Sequence, residues 1–117
     1  MRKEINLETW DRKDVYAFFK DMQIPVCSVT SEVDCTETFV FCKNNKVAYS
    51  KLCSYASLRA VNEIRELRYR IEDGGKTIAE YDRIDLCAPI KINASYRFTS
   101  ITVQYDKDFL AFYKSMQ

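Results

Sequence analysis

Apolar residues recur at helical spacing at both ends of the chain and alternate in its middle. Near the start, Val15, Phe18, Phe19 and Met22 fall at i, i+3, i+4 and i+7, one continuous helical face. Arg12, Lys13, Asp14, Lys20 and Asp21 lie mostly off that face. Trp10 and Val15 are spaced to clasp across an Asp11 N-cap as a hydrophobic staple, with Asp14 in the favoured first turn. Pro25 stops the helix. Residues 26–34 then alternate like a half-buried strand, with Cys27, Val29, Ser31 and Val33 on one face.

Residues 35–45, CTETFVFCKNN, read as a short helix with Thr36 as its cap and Asn44-Asn45 as its end. Residues 46–67 contain no Gly or Pro and form the longest helical stretch. Cys53, Ala56, Ala60, Ile64 and Leu67 recur along it, with Leu52 and Val61 beside them. The small residues predict close packing onto a sheet. RYRIEDGGKTIAEY alternates, turns through Asp73-Gly74-Gly75 and alternates again, the pattern of a β-hairpin. DRIDLCAPI and YRFTSITVQY read as further strands. Asp106 is placed to cap a last helix, whose Phe109, Phe112, Tyr113 and Met116 repeat the spacing of the first. Helices and strands mixed in this order predict an α/β fold, a two-layer sandwich of one mixed sheet with helices packed on it, in a single domain over 1–117.

Composition narrows the function. At 47% hydrophobic residues the chain can bury a core. Eighteen Lys+Arg against 17 Asp+Glu, with the signs interspersed, argue against nucleic acid as a partner, which needs a clustered basic surface. No apolar run is long enough to span a membrane, and MRKEINLE has no signal-peptide core, so a cytoplasmic location is expected. The five cysteines, at 27, 35, 42, 53 and 87, form no C-x-x-C and read as small buried hydrophobes in a reducing compartment. There is no histidine. That removes the commonest general base near neutral pH, and with it the usual partner of Ser or Cys nucleophiles. No metal site is expected. The charges of EIRELRYR read as a solvated face with local ion pairs, and the sequon at 93–95 as a chance match.

ETWDRKDVYAFF, TSEVDCT, LRAVNEIRELRYRIEDG, YDRID and YRFTSITVQYDKDFLAFY resemble, in that order, the N-terminal half of chloramphenicol acetyltransferase. The most specific parts are the Trp-x-Arg aromatic helix and VNEIRELRYRIEDG. The resemblance implies a coenzyme A-dependent acyltransferase fold, a homotrimer with active sites at subunit interfaces, and acetyl-CoA as co-substrate. In that family a histidine of a C-terminal His-His-x-x-x-Asp-Gly motif is the general base on a chloramphenicol hydroxyl, and a serine steadies the oxyanion.

Residue by residue, the resemblance makes Arg12 the partner of that motif's aspartate. It places Phe18, Phe19 and Phe98 in the antibiotic pocket, with Val26 and Cys27 near a further pocket wall. The histidine motif, the oxyanion serine and most of the coenzyme A tunnel belong to the family's C-terminal half, and DLCAPIKIN departs from the family pattern. The sequence therefore reads as a family member cut in two, with no catalytic residue of its own, expected to bind no acetyl-CoA and to be inactive alone. A non-catalytic module binding a small apolar ligand or a partner chain is the alternative, and a free-thiol redox protein a third, barely supported one.

Overall fold

The computed structural model describes residues 1–92 and 96–116; the sequon at 93–95 lies outside them. The elements run β1 (Arg2–Glu4), α1 (Lys13–Phe19), α2 (Thr36–Asn45), α3 (Tyr49–Glu63), β2 (Tyr69–Glu72), β3 (Thr77–Tyr81), β4 (Leu86–Lys91), β5 (Phe98–Val103) and α4 (Phe109–Ser115). A 3-10 turn over Arg65–Arg68 links α3 to β2.

The α/β class holds, but the described strands form two antiparallel sheets rather than one mixed sheet. One has the order β1-β3-β2, the other is the pair β4-β5. The predicted hairpin is β2–β3, with Tyr69 opposite Glu80 and Glu72 opposite Thr77. Its turn places Asp73, Gly74 and Gly75 in succession at φ 50, 64 and 90, the left-handed region that two glycines and an aspartate tolerate best. Thr77 Oγ1 donates to Asp73 Oδ2 at 2.6 Å and closes it. β3 is central, and Ile78 and Ala79, which point to opposite faces, are both buried. β1 carries no apolar alternation. It is held by register with β3 and by the Arg2 guanidinium on Glu72, 2.6 Å away.

The main core lies at the other end. Tyr55 and Leu58 of α3, Val103 of β5 and Phe112 of α4 are buried together, with Leu86 and Ile101 packed against them. Leu86 stands opposite Val103 and Ala88 opposite Ile101, so the inward positions of β4 and β5 pair directly. α4 is capped by Asp108, whose carboxylate accepts from Ala111 N at 2.9 Å; Asp106, the expected cap, instead accepts from Asp108 N.

Several expectations are corrected. Residues 26–34 form no strand, and Val26, Val29 and Val33 are exposed. The stretch lacks a neighbouring strand, and alternation alone cannot satisfy a backbone. The buried side of α3 is Tyr55 and Leu58; Ala56, Ala60, Ile64 and Leu67 are exposed, because the helix meets α4 and β5 rather than a sheet along its small residues. Three cysteines, Cys27, Cys35 and Cys87, are exposed instead of buried. Only one ion pair of the EIRELRYR stretch is local, Glu63 with Arg59; Arg65 and Arg68 both reach Glu80 on β3, and Glu66 meets Arg12.

The molecule is open. Its radius of gyration is 17.9 Å, against about 13 Å for a compact chain of this length. It exposes 9690 Å², about 3,000 Å² more than a folded monomer of its mass.

Candidate functional site

The sequence points to α1 and its surroundings. The helix docks by residues off its apolar stripe. Trp10 stands edge-on to Tyr69 of β2 at 5.7 Å and meets Tyr16 at 6.1 Å. The Tyr16 hydroxyl donates to the Gly75 carbonyl at 2.7 Å, tying α1 to the hairpin turn. The expected staple is therefore corrected: Trp10 clasps Tyr16, and Val15 is exposed. The first turn has no side-chain cap, with Arg12 in the N-cap position in place of Asp11.

With Tyr16 turned inward, the opposite side of α1 faces outward. Phe18 is 67% and Phe19 45% exposed, their rings in T-shaped contact at 5.1 Å. Met22, Ile24 and Val26 continue the apolar surface along the chain, and Cys27 follows, exposed. Phe98 opens β5 opposite Lys91 and is 73% exposed. Among the described residues the ring contacts join Phe18 to Phe19 and do not include Phe98. None of these side chains lines the concavity at the end of α3 or the one beside β1. The structure thus presents the predicted pocket residues as open apolar surface, not as a closed pocket.

Arg12 is on the same helix and is paired: its Nη2 lies 3.4 Å from Glu66 Oε1, both groups half in solvent. Such a pair contributes about 0–1 kcal/mol and leaves the guanidinium free to exchange partners. Beneath α1, Arg2 and the Tyr81 hydroxyl both donate to Glu72 and hold its carboxyl below the usual range, Arg2 being the larger cause. The bond to Glu72 pushes the Tyr81 phenol up, and Arg2 partly opposes it. Among the described residues no cluster of three or more His, Cys, Asp or Glu is placed to hold a metal, and no helix is long and apolar enough to cross a membrane.

The sequence profile described as Chloramphenicol acetyltransferase matches residues 2–117. The chain belongs to the chloramphenicol acetyltransferase family. Chloramphenicol acetyltransferases of Staphylococcus aureus and Staphylococcus intermedius are each 26% identical to it over 111 residues, 95% of this chain and 51% of theirs. A solved chloramphenicol acetyltransferase structure superposes with a TM-score of 0.89 at 39% identity, over 99% of this chain and 54% of that one. The chain spans about half the length of the relatives it matches.

Tyr16 is the structural residue that sequence reasoning missed, and Trp10 the one to which it gave another partner. They are the two aromatics of the segment that fall outside the i, i+3, i+4, i+7 stripe. A third aromatic at Tyr69, in the hairpin, was the available signal for what they pack on.

Proposed function

We propose that these 117 residues are one folding unit that supplies the acceptor-binding side of a chloramphenicol acetyltransferase-type enzyme, and that they do not transfer an acetyl group alone. The observation that carries this is the exposure of three aromatics, Phe18, Phe19 and Phe98, in a chain of this family with no histidine. Phe18, Phe19 and Phe98, with Val26 and Cys27 beside them, bury the apolar part of a chloramphenicol-like acceptor, and Arg12 exchanges Glu66 for the aspartate of a histidine motif. None of those five pocket residues carries a positive charge to hold the phosphates of a coenzyme A. Acetyl-CoA therefore belongs to the complete assembly, and no step through it is derived for this chain. The assembly is a cytoplasmic homotrimer in this reading, and its activity confers antibiotic resistance.

The excess of about 3,000 Å² of exposed surface exceeds the roughly 1,600 Å² that a standard protein interface buries in total. It supports association of the isolated chain, or low solubility, until a complementary polypeptide covers it. The same excess is the specific observation favouring the second reading, a non-catalytic module whose ligand is a partner chain.

The deciding experiment mixes acetyl-CoA and chloramphenicol with the chain alone and with the chain co-expressed beside a polypeptide bearing His-His-x-x-x-Asp-Gly. The chain alone gives no turnover above background, since a positioned general base is worth on the order of 10²–10⁴ in rate. Co-expression restores acetylation, and Arg12→Ala weakens the restored activity. Acetyl transfer by the isolated chain overturns the reading. Stable association without any restored activity favours the partner-binding module.

A further inference from the structure

A separate concavity of about 800 Å³ lies at the C-terminal end of α3, within the size range of small-molecule sites. Its walls are the end of α3, the β3–β4 connection and the segment following β5. Each wall is pinned by a side chain to a backbone. The Asn62 amide makes a two-way pair with Ile84, donating to its carbonyl and accepting from its N–H, both at 2.9 Å. Asp85 accepts from Tyr105 N at 2.9 Å, and the Tyr55 hydroxyl donates to the Lys107 carbonyl at 2.6 Å. The cavity is therefore formed before any ligand arrives.

Its chemistry is a surplus of donors. Every carboxylate in the wall is already engaged: Glu63 with Arg59 at 2.7 Å, Asp82 with the N-terminal ammonium at 3.1 Å, Asp106 with Asp108 N. The donors are not all used. Among the described residues Lys107 has no ion-pair partner and the Tyr105 hydroxyl has no acceptor. Arg59 is engaged through Nε, which leaves its two terminal nitrogens. Arg68, another wall residue, has its Nε buried with no acceptor.

We propose that this cavity is a second small-molecule site, taking the carboxylate or phosphate of a small polar ligand on Lys107 and Arg59, with the Tyr105 hydroxyl as neutral donor. It is distinct from the proposed acceptor surface, since none of Phe18, Phe19 and Phe98 borders it.

Ligand-observed NMR tests it on the full chain, whatever its state of association, using the phosphorus linewidth of inorganic phosphate and saturation transfer to acetate. At least one anion binds saturably; phosphate alone assigns a phosphate ester, acetate alone a carboxylic acid. Lys107→Ala weakens binding by about tenfold. That change keeps the wall intact, because Tyr55 holds the Lys107 backbone carbonyl and not its side chain. Lys20→Ala on the aromatic helix leaves binding unchanged. Absence of saturable binding by either anion overturns the proposal, as does equal affinity in Lys107→Ala or an equal loss in Lys20→Ala.

Discussion

Helices α1 and α4 are the same length, seven residues, and carry nearly the same stripe: Val15, Phe18 and Phe19 in one, with Met22 just beyond it, and Phe109, Phe112 and Tyr113 in the other, with Met116 just beyond it. Phe112 is fully buried, while its counterpart Phe18 is 67% exposed. The difference lies in what each helix meets. α4 lies against α3, where Tyr55 contacts both Phe109 at 5.1 Å and Phe112 at 5.5 Å. Lys51 of α3 reaches the Met116 carbonyl, and Asp108 caps the first turn. α1 has no side-chain cap and is tethered through Trp10 and Tyr16. A stripe of aromatics therefore specifies a surface that prefers cover, and the neighbouring elements decide whether cover is provided within the chain. Where it is not, the stripe is left for a ligand or another polypeptide.

The strongest way to break this comparison is to truncate the matching rings. Phe112→Ala is expected to cost about 3–5 kcal/mol in chemical denaturation, the range for emptying a buried phenyl site. Phe18→Ala is expected to stay within about 0.5 kcal/mol. Equal losses would mean that α1 buries its stripe in solution.

The tether of α1 is sharpened at Gly75. A Cβ there meets the Tyr16 hydroxyl at 3.3 Å, and its φ is +90. Gly75→Ala should cost about 1–2 kcal/mol from the left-handed backbone alone. It should also shift the fluorescence of Trp10, the one tryptophan, which reports on α1 docking. Loss of stability with unchanged fluorescence would separate the turn from the helix.

Capping tests the comparison on a smaller scale. Asp108→Ala removes the bond to Ala111 N and should lower stability by about 1 kcal/mol. Asp11→Ala should change little, since α1 has no side-chain cap. A comparable loss from Asp11→Ala would restore the cap that the sequence suggests.

The smallest effect is in acid, in the sheet beneath α1. Glu72 has a lowered pKa because Arg2, and then Tyr81, bind its ionised form. A depressed carboxylate contributes stability that is present above its ordinary value of 4.5 and is lost as pH falls through the folded value. Glu72→Gln should flatten the acid limb of a stability–pH curve below that value. An unchanged limb would assign the acid sensitivity to other carboxylates.

Much of the architecture was legible without coordinates, and the reason is local. Asp73-Gly74-Gly75 tolerate a left-handed turn, so the hairpin declares itself within a few residues. The continuous run without Gly or Pro marks α3, and DRIDLCAPI with YRFTSITVQY marks β4 and β5. β1 was invisible because Arg2, Lys3 and Glu4 have no apolar period; only the distant edge of β3 makes them a strand. Residues 26–34 failed in the opposite direction, having the period without the neighbour. At the candidate site, the sequence showed Phe18, Phe19 and Phe98 as aromatics worth attention but not that they stand open to solvent.

What the sequence determined by itself is whatever depends on bonds a few residues apart: the hairpin turn, the placing of the helix-forming runs, the family motifs and the lack of a histidine. Tertiary structure alone decided which face of each helix is covered, that α1 rests on Tyr16 rather than on its stripe, and that Arg12 pairs with Glu66. Burial depends on contacts between residues far apart in the chain. Tyr16 and Gly75 are 59 positions apart, and Tyr55 and Lys107 are 52 apart. No local period carries that information.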